Sequence, residues 1–547
     1  MKKRIIKWAV GVLLVPVILF FILTILFYIP PIQNFAVSKA TALVSSATGL
    51  NVQIEHFRIT FLLDINLHQV MVNDSEDSPI LSMEDLNIDL SFKKILLGKI
   101  DINGIDLKNI TTNTKNMIPG LGVQGKISNF FLDSHGIDLS RQRVTVNNAH
   151  LNGANLWVTL GDTTENEDTT ASAINWRIEI EQAQLSDSRI KLCMQKDSTQ
   201  AYTALNLLTL EQAIIDLKTN EYSISKACID SDTIKYDLTY EPQIEGLDIN
   251  HILLTQTRVG LDSIYFNGQS MDAVAHLKRF TMKEKCGLEV SEANAKIMMD
   301  SLSLYAPLCS LSTPHSQINA NSRLDFSALK SPSKGTFFAN INGEIGKKDI
   351  MIFANELPEQ FKLDYPNKPI TFQMEANGNI DSLWLDRAEV ALADAFSIKA
   401  NGTVTQLMDS LDREAHINMG LVTDNLHFVL PLLEDSVSGT IALPPMKLDG
   451  QINMLGQVYN ADIQWKEREM QHGGIIVKAE YDMLLSKYKM ALDIDSVILS
   501  HFLPKDSLNY FSLTTRIEGK GTDFLDKGTK AQMDANLKKL QSGSYDF

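Results

Sequence analysis

One segment of the sequence has the glycine spacing of a dinucleotide-binding loop. Gly120-Leu121-Gly122-Val123-Gln124-Gly125 matches the pattern GxGxxG. Such a loop binds a pyrophosphate where it follows a buried strand and opens a helix. Here the segment follows Pro119, and no helical period comes after it. We therefore interpret it as a flexible turn and expect no cofactor.

Acidic pairs offer a second kind of chemistry. Asp381 and Asp386 could act as the two carboxylates of a glycoside hydrolase. In a chain with 66 Asp and Glu residues such pairs are expected by chance, and a solvated strand face is the simpler interpretation. The eleven histidines are scattered singly, and the sequence has no HExxH, GxSxG or Walker A motif. We expect no catalytic site and no metal site.

The cysteines do not form a recognisable site. Cys193, Cys228, Cys286 and Cys309 lie 35, 58 and 23 residues apart, without a CxxC motif. This spacing provides neither a zinc ribbon nor a dithiol redox centre. In an oxidising compartment one bridge, such as Cys193–Cys228, could form; buried free thiols are the alternative.

Composition and charge limit the class of protein. Hydrophobic residues make up 44% of the 547 residues, which excludes a globally disordered chain. The chain has 50 Lys and Arg against 66 Asp and Glu, a net charge of −16. A surface with this sign repels phosphate backbones, so we expect no nucleic-acid partner.

The N-terminus has the pattern of a membrane anchor. Trp8 to Ile29 contains 22 consecutive uncharged residues, mostly apolar. A helix of this length is roughly 33 Å long, enough to cross a bilayer core of about 30 Å. Cations in residues 1–7 predict a cytoplasmic N-terminus, a single span and an exported body. The alternative is a signal peptide cleaved near Ala36-Val37-Ser38.

Residues 30–50 have a helical period. Apolar residues recur there at intervals of three and four, which predicts a short amphipathic helix; they are Ile32, Phe35, Ala36, Ala40, Leu43, Val44 and Ala47. It could cap the first strands or lie on the bilayer surface.

From Asn51 onward the dominant period is two, which predicts strands with one apolar and one polar face. The dipeptide Asn-Gly is typical of tight turns between antiparallel strands. It occurs six times, at Asn103, Asn152, Asn267, Asn342, Asn377 and Asn401. We expect a mainly β, antiparallel body.

The body divides into three parts. Residues 51–160 form an N-terminal β-region, 161–173 a polar loop and 174–547 a repetitive β-region. Ala376-Asn377-Gly378 recurs 24 residues later as Ala400-Asn401-Gly402, which favours stacked repeats and an elongated shape. The chain stops at Phe547 within what has the pattern of another strand, so we expect a fragment of a longer protein.

An ordered series of motifs runs through the first 120 residues. After the anchor come Gly49-Leu50-Asn51-Val52, Val70-Met71-Val72-Asn73-Asp74, Ile80-Leu81, Leu86-Asn87-Ile88-Asp89-Leu90, Ile95-Leu96-Leu97-Gly98-Lys99-Ile100-Asp101-Ile102 and Ile105-Asp106-Leu107. In this order and spacing the series resembles the N-terminal part of the TamB/AsmA-like family of Gram-negative envelope proteins. The segment from Ile174 to Ile180 looks like the family's second set of strands. Beyond about residue 195 only the style of the repeats supports the match.

The resemblance implies a protein of the inner membrane with its body in the periplasm. The fold would be an elongated antiparallel β-sheet curled into an open, taco-like groove with an apolar interior. Family members are linked to moving phospholipids between the two membranes. The TamB branch is also linked to assembly of outer-membrane proteins and autotransporters with a barrel partner. The family's C-terminal domain, which meets that barrel, is not recognisable in this sequence.

The alternating residues are the candidate lining of such a groove. They are Ile100, Ile102, Ile105, Leu107, Ile174, Trp176, Ile178 and Ile180. If they border phospholipid acyl chains, the chain is a lipid-guiding bridge and not an enzyme. The alternatives are a closed sandwich without lipid, an assembly factor that binds unfolded strands by edge pairing, and an anchored carbohydrate-active solenoid.

Overall fold

The computed structural model describes most of the body of the chain. The described residues are 29–48, 50–59, 64–74, 76–91, 102–114, 121–138, 141–161, 176–194, 198–331, 333–354, 356–433, 440–468, 473–521 and 527–546. The predicted anchor lies outside them apart from Ile29, as do Ile100 and Ile174. Among the helices in the described ranges, none has the length and apolar composition needed to cross a membrane.

The described part is mainly β and divides into two compact units. Unit 1 is Met1–Ile244 with Asp248–Lys285, and unit 2 is Glu245–Leu247 with Cys286–Phe547. Within residues 30–50, predicted to be helical, helix α1 spans Pro30–Thr48 and contacts the first strand. Phe35, which the helical period assigned to the apolar stripe, is 64% exposed.

The described residues of unit 1 form eleven strands that pair in sequence order, each with the next. They are β1 (Asn51–Ile59), β2 (Ile65–Asn73), β3 (Pro79–Leu90), β4 (Ile102–Asn113), β5 (Leu121–Asp138), β6 (Arg143–Leu160), β7 (Arg177–Met194), β8 (Thr199–Asp216), β9 (Glu221–Leu238), β10 (His251–Asn267) and β11 (Asp272–Glu284). The sheet is open, because β1 and β11 do not pair with each other in the described ladder.

One pair of strands in unit 1 departs from the antiparallel expectation. β6 and β7 are parallel, with Val144 opposite Ile178 and Leu151 opposite Leu185. Parallel neighbours need a crossover of a dozen or more residues. The sixteen residues between Leu160 and Arg177 supply that length, and they include the predicted polar loop 161–173.

In the part of unit 2 that the structure describes there are fifteen strands, and the paired neighbours among them are antiparallel. They are β12 (Glu289–Met299), β13 (Ser303–Ser312), β14 (Gln317–Asp325), β15 (Phe337–Ile345), β16 (Ile370–Gly378), β17 (Leu383–Leu392), β18 (Phe396–Thr405), β19 (Glu414–Thr423), β20 (Met446–Leu455), β21 (Val458–Glu467), β22 (Gly474–Asp482), β23 (Lys487–Ile498), β24 (Leu508–Lys520), β25 (Lys530–Ser542) and β26 (Tyr545–Asp546). The 24-residue repeat corresponds to two strands, because Ala376 lies on β16 and Ala400 on β18.

The described connections of unit 2 contain short helices, some of which pack into a small core. They are α2 (Ser327–Lys330), α3 (Lys347–Phe353), α4 (Glu359–Asp364) and the 3₁₀ helices His427–Leu432 and Leu499–His501. Phe361 and Tyr365 of the α4 region pack with Phe428 at ring distances of 5.3 to 5.8 Å, over Leu392 and Ala395 at the β17–β18 turn. We call this cluster the helical cap.

The Asn-Gly dipeptides do not mark turns as expected. Five of the six lie inside strands, and only Asn267-Gly268 stands at a connection. At Gly343 on β15, a Cβ atom would lie 2.3 Å from the carbonyl oxygen of Gln317. At Gly402 on β18, it would lie 2.3 Å from that of His416. These glycines are needed where neighbouring backbones approach closely within the sheet.

Gly122 and Gly125 lie within strand β5. The interpretation of this segment as a flexible turn was therefore wrong for its described residues. No helix follows them, because the chain continues as strand to Asp138. The backbone geometry needed for a pyrophosphate at a helix N-terminus is not formed there.

Candidate functional site

A row of large apolar side chains crosses the whole sheet of unit 1. Directly paired residues have their side chains on the same side of a sheet. Starting from Leu107 on β4, the pairing partners are apolar in every strand. The row is Phe57, Leu67, Leu86, Leu107, Phe130, Leu151, Leu185, Leu208, Ile229, Val259 and Phe280.

A second row runs beside the first, two residues away along nearly every strand. It passes through Ile105, the other predicted lining residue of β4. Its members are Ile59, Ile65, Ile88, Ile105, Leu132, Ala149, Ala183, Leu210, Ala227, Leu261 and Leu277. Positions two apart face the same side of a strand. We call the two rows together the apolar face.

The apolar face continues past a kink in the strands. Leu107 and Ile110 are three residues apart on β4 and would face opposite sides of a regular strand. They pack into one cluster with Val70 and Met83. Between them, Asn109 has a φ of 48°, and Gln69 has a φ of 54° at the matching place on β2. The left-handed residue changes the phase of the strand, as a bulge does, so both apolar segments face the same side.

The remaining predicted residues that the structure describes lie on or next to β4 and β7. Ile102 opens β4 opposite Leu90. Ile178 lies between Val144 and Ile215. Ile180 lies between Val146 and Ala213, which are buried. Trp176 precedes β7, and its carbonyl accepts a 3.0 Å hydrogen bond from the N–H of Leu217. Ile102, Ile178 and Ile180 therefore form further apolar pairs on β4 and β7.

No second layer covers the apolar face within the described part of unit 1. Strands contact their ladder neighbours extensively, and the one helix, α1, contacts β1. Ile105, Leu107 and Leu185 are accordingly only half-buried. Val70, Met83 and Ile110 are buried by adjacent side chains in the same sheet.

Ion pairs join polar side chains at neighbouring ends of β6, β7 and β8. Arg177 on β7 contacts Glu179 at 2.8 Å and Asp216 on β8 at 3.0 Å, and Arg143 on β6 contacts Glu179 at 2.8 Å. Hydrogen bonds from Arg177 and then Arg143 hold the pKa of Glu179 below its ordinary value. These contacts link β6, β7 and β8 on the side away from Ile178 and Ile180.

Unit 2 has an apolar row of its own, which the sequence analysis did not identify. It crosses fourteen strands, and Gly343 is its one member without a side chain. The row is Ala293, Leu311, Ile318, Gly343, Phe372, Val390, Ile398, Leu421, Leu448, Trp465, Ile475, Ile494, Leu513 and Leu537. The alternation within each strand was visible, but which positions become neighbours depends on the strand register.

The acidic pair considered in the sequence analysis accepts hydrogen bonds from neighbouring residues. The Asp381 carboxylate accepts a hydrogen bond from the N–H of Met408, and exposed Asp386 accepts one from Asn377. No group of acids, histidines and cysteines among the described residues could hold a metal ion. All four cysteines are described and none is in a disulfide.

The Cys193–Cys228 bridge is excluded by the register. Cys228 on β9 is level with Thr209 on β8 and Gln184 on β7. Cys193 is nine residues further along β7, a distance of roughly 30 Å at about 3.3 Å per residue. A disulfide needs Cα atoms within about 7 Å.

Comparison with known proteins assigns no family. Neither the protein-family models nor the curated proteins contain a match to this chain.

Proposed function

We propose that this chain guides phospholipids along the apolar face of an exported β-body, anchored in the inner membrane by the Trp8–Ile29 segment. Its body would stand in the periplasm, as the resemblance to the TamB/AsmA-like family implies. The observation that carries the proposal is the pair of apolar rows across all eleven strands of unit 1, with no layer over them among the described residues.

Acyl chains need a surface of this kind. Each methylene kept out of water is worth about 0.8 kcal/mol, so a lipid in transit needs apolar cover along its whole route. The rows run across the strands, from one hydrogen-bonded neighbour to the next. Eleven strands at about 4.8 Å spacing give a route of roughly 48 Å within unit 1. Neither row has a polar member.

Because the rows are uncovered, they favour a surface that binds a ligand rather than the inner face of a packed sandwich. In a sandwich the inner faces of two sheets bury each other and their residues are almost fully inaccessible. In unit 1 the typical member of the rows is half-buried, and nearly complete burial is confined to a few residues. Soluble proteins seldom leave apolar surfaces of this extent without a partner.

Leu185 and Gln184 provide a matched test. They are adjacent on β7, with Leu185 in the first apolar row and Gln184 paired to His150 and Thr209 on the other side. The full-length protein is expressed with a photo-crosslinking residue at position 185, in cells that have an inner and an outer membrane. Mass spectrometry should then detect phospholipid adducts at this position. The same residue at position 184 should yield none.

Two outcomes would reject the proposal. Equal lipid labelling at positions 184 and 185 would indicate contact with bulk membrane. Adducts at position 185 with polypeptide alone would favour binding of unfolded strands, as in an assembly factor. As a functional companion, Leu185→Asp should reduce phospholipid exchange between vesicles and Gln184→Asp should not, because a carboxylate beside acyl chains must be desolvated or neutralised.

A further inference from the structure

Unit 2 has a line of exposed apolar side chains along the border of its sheet where the strands end and the chain turns. Because successive strands are antiparallel, the connections that follow β12, β14, β16, β18, β20, β22 and β24 all lie at the same edge. We call it the tip edge. Its exposed apolar residues are Leu302, Leu329, Ile380, Leu407, Met408, Leu411, Leu455, Met483, Leu484 and Leu485. Tight connections normally contain polar residues, so a repeated apolar tip requires an explanation.

The β22–β23 tip carries three exposed apolar residues. Met483, Leu484 and Leu485 are consecutive, and Leu484 is 75% exposed. Two backbone N–H groups of this tip donate hydrogen bonds within the protein. The N–H of Met483 donates to the carbonyl of Gln457, and the N–H of Leu485 donates to the Asp482 carboxylate at 2.9 Å. This tip can therefore leave water without losing those two hydrogen bonds.

Three lysines stand in one row beside this tip. Lys487 on β23 pairs with Lys520 on β24, which pairs with Lys530 on β25. All three are exposed and line an open cleft of about 750 Å³. None forms an ion pair with a carboxylate in the described part of the chain. On β22 the row ends at Asp482, which lies opposite Lys487, so it contains three positive charges and one negative charge; Glu480, Lys489 and Glu518 line the same cleft. Because the like charges of the three lysines lie directly opposite each other and destabilise the sheet, the row favours an anionic partner.

We propose that the tip edge of unit 2 docks onto an anionic phospholipid bilayer through the β22–β23 tip and the lysine row. Leucine side chains enter the boundary between headgroups and acyl chains, and the adjacent lysines remain level with the phosphates. The partner is chosen by charge complementarity. Positively charged lysines beside exposed leucines match a surface on which phosphates lie next to an apolar layer. A fluid bilayer can also adapt to the spaces between separate tips. A folded protein would need a complementary surface for each tip.

This docking goes beyond movement of lipid on the apolar face of unit 1. The two can fail separately, because Leu185→Asp should leave docking intact. Substitutions at the tip edge should in turn leave the lipid adducts at position 185 unchanged.

The test measures capture of vesicles by the full-length protein held in phosphatidylcholine nanodiscs. Acceptor vesicles of phosphatidylcholine with phosphatidylglycerol should co-float the protein, and pure phosphatidylcholine vesicles should co-float much less. Each charge removed from the lysine row should weaken capture about fivefold, since a lysine near an anionic surface contributes about 1 kcal/mol. Leu484→Asp should weaken capture about tenfold, because one leucine side chain is no longer buried in the apolar layer.

Matched controls separate docking from folding. Leu363 on α4 is 73% exposed and belongs to a connection at the opposite edge, so Leu363→Asp should not change capture. A photo-crosslinking residue at position 484 should label lipid from the acceptor vesicles, and one at Asp394, in the β17–β18 turn, should not. The proposal is overturned if Lys487→Glu, Lys520→Glu and Lys530→Glu together leave capture unchanged, or if position 484 labels polypeptide alone.

Discussion

Leu107 and Ile110 are three residues apart on one strand, yet they pack into the same apolar cluster, with the left-handed residue Asn109 between them. Spacings of three recur at this level on neighbouring strands, as in Leu67 and Val70 of β2 or Ile127 and Phe130 of β5. The kink therefore lets the apolar face of unit 1 extend past the point where a regular strand would turn its side chains away.

The kink can be tested at Asn109. Asn109→Val should destabilise unit 1 by about 2 kcal/mol, because a β-branched residue is strained at positive φ. Asn109→Gly should cost less than about 1 kcal/mol, since glycine accepts this φ and only the contact with Glu84 is lost. Urea unfolding and hydrogen exchange of the β3–β5 amides measure both effects. Thr111→Val, exposed on the same strand, is the control; equal losses for all three variants would contradict the role of φ.

Ile178→Asp separates an uncovered face from a packed core. Ile178 is half-buried beside Val144 and Ile215, so a carboxylate there can reach water and should cost about 1 kcal/mol of folding free energy. Lipid exchange should nevertheless fall if this part of β7 borders acyl chains, because the charge stands between the apolar side chains of Val144 and Ile215. Leu392→Asp, in the helical cap at 1% exposure, should cost several kcal/mol. Similar denaturation midpoints for these two variants would argue against an uncovered face.

Glu179 should contribute to stability in a pH-dependent way. Its folded pKa lies below the ordinary value of 4.5 because of Arg177 and Arg143. The contribution is therefore complete above pH 4.5 and is lost as the pH falls through the folded pKa. Glu179→Gln should lower the free energy of unfolding by about 1 kcal/mol at pH 7 and leave it unchanged in strong acid. Unfolding free energies from pH 7 to pH 3 provide the measurement. The exposed Glu181→Gln is the control, and a constant offset at every pH would refute the mechanism.

The helical cap should behave as an ordinary core. Phe428 is 5% exposed and lies against Phe361 and Tyr365. Phe428→Ala should destabilise unit 2 by about 3–5 kcal/mol. Phe353→Ala, which removes an exposed ring at the end of α3, should cost less than about 1 kcal/mol. Thermal unfolding with hydrogen exchange over α4 compares them; an equal effect would mean that Phe428 is not part of a closed core.

The sequence was sufficient for the class of fold and for part of the candidate site. Alternation at period two identified strands correctly, because each strand of a one-sided sheet must separate apolar from polar residues locally. Ile105 and Leu107 were found in this way. The Asn-Gly dipeptides were misread, because a glycine inside a strand is required by the approach of a neighbouring backbone, which lies elsewhere in the sequence.

The tertiary structure alone decided which residues become neighbours. Leu107 meets Leu86 and Phe130, and a shift of one residue in the ladder with β3 would pair it with a polar side chain, Asp85 or Asn87. Strand register also excluded the Cys193–Cys228 bridge, made β6 and β7 parallel, and brought Lys487, Lys520 and Lys530 into one row. Periodicity fixes which side of its own strand a residue occupies. Its partners across the sheet depend on hydrogen bonds between segments that the local sequence does not specify.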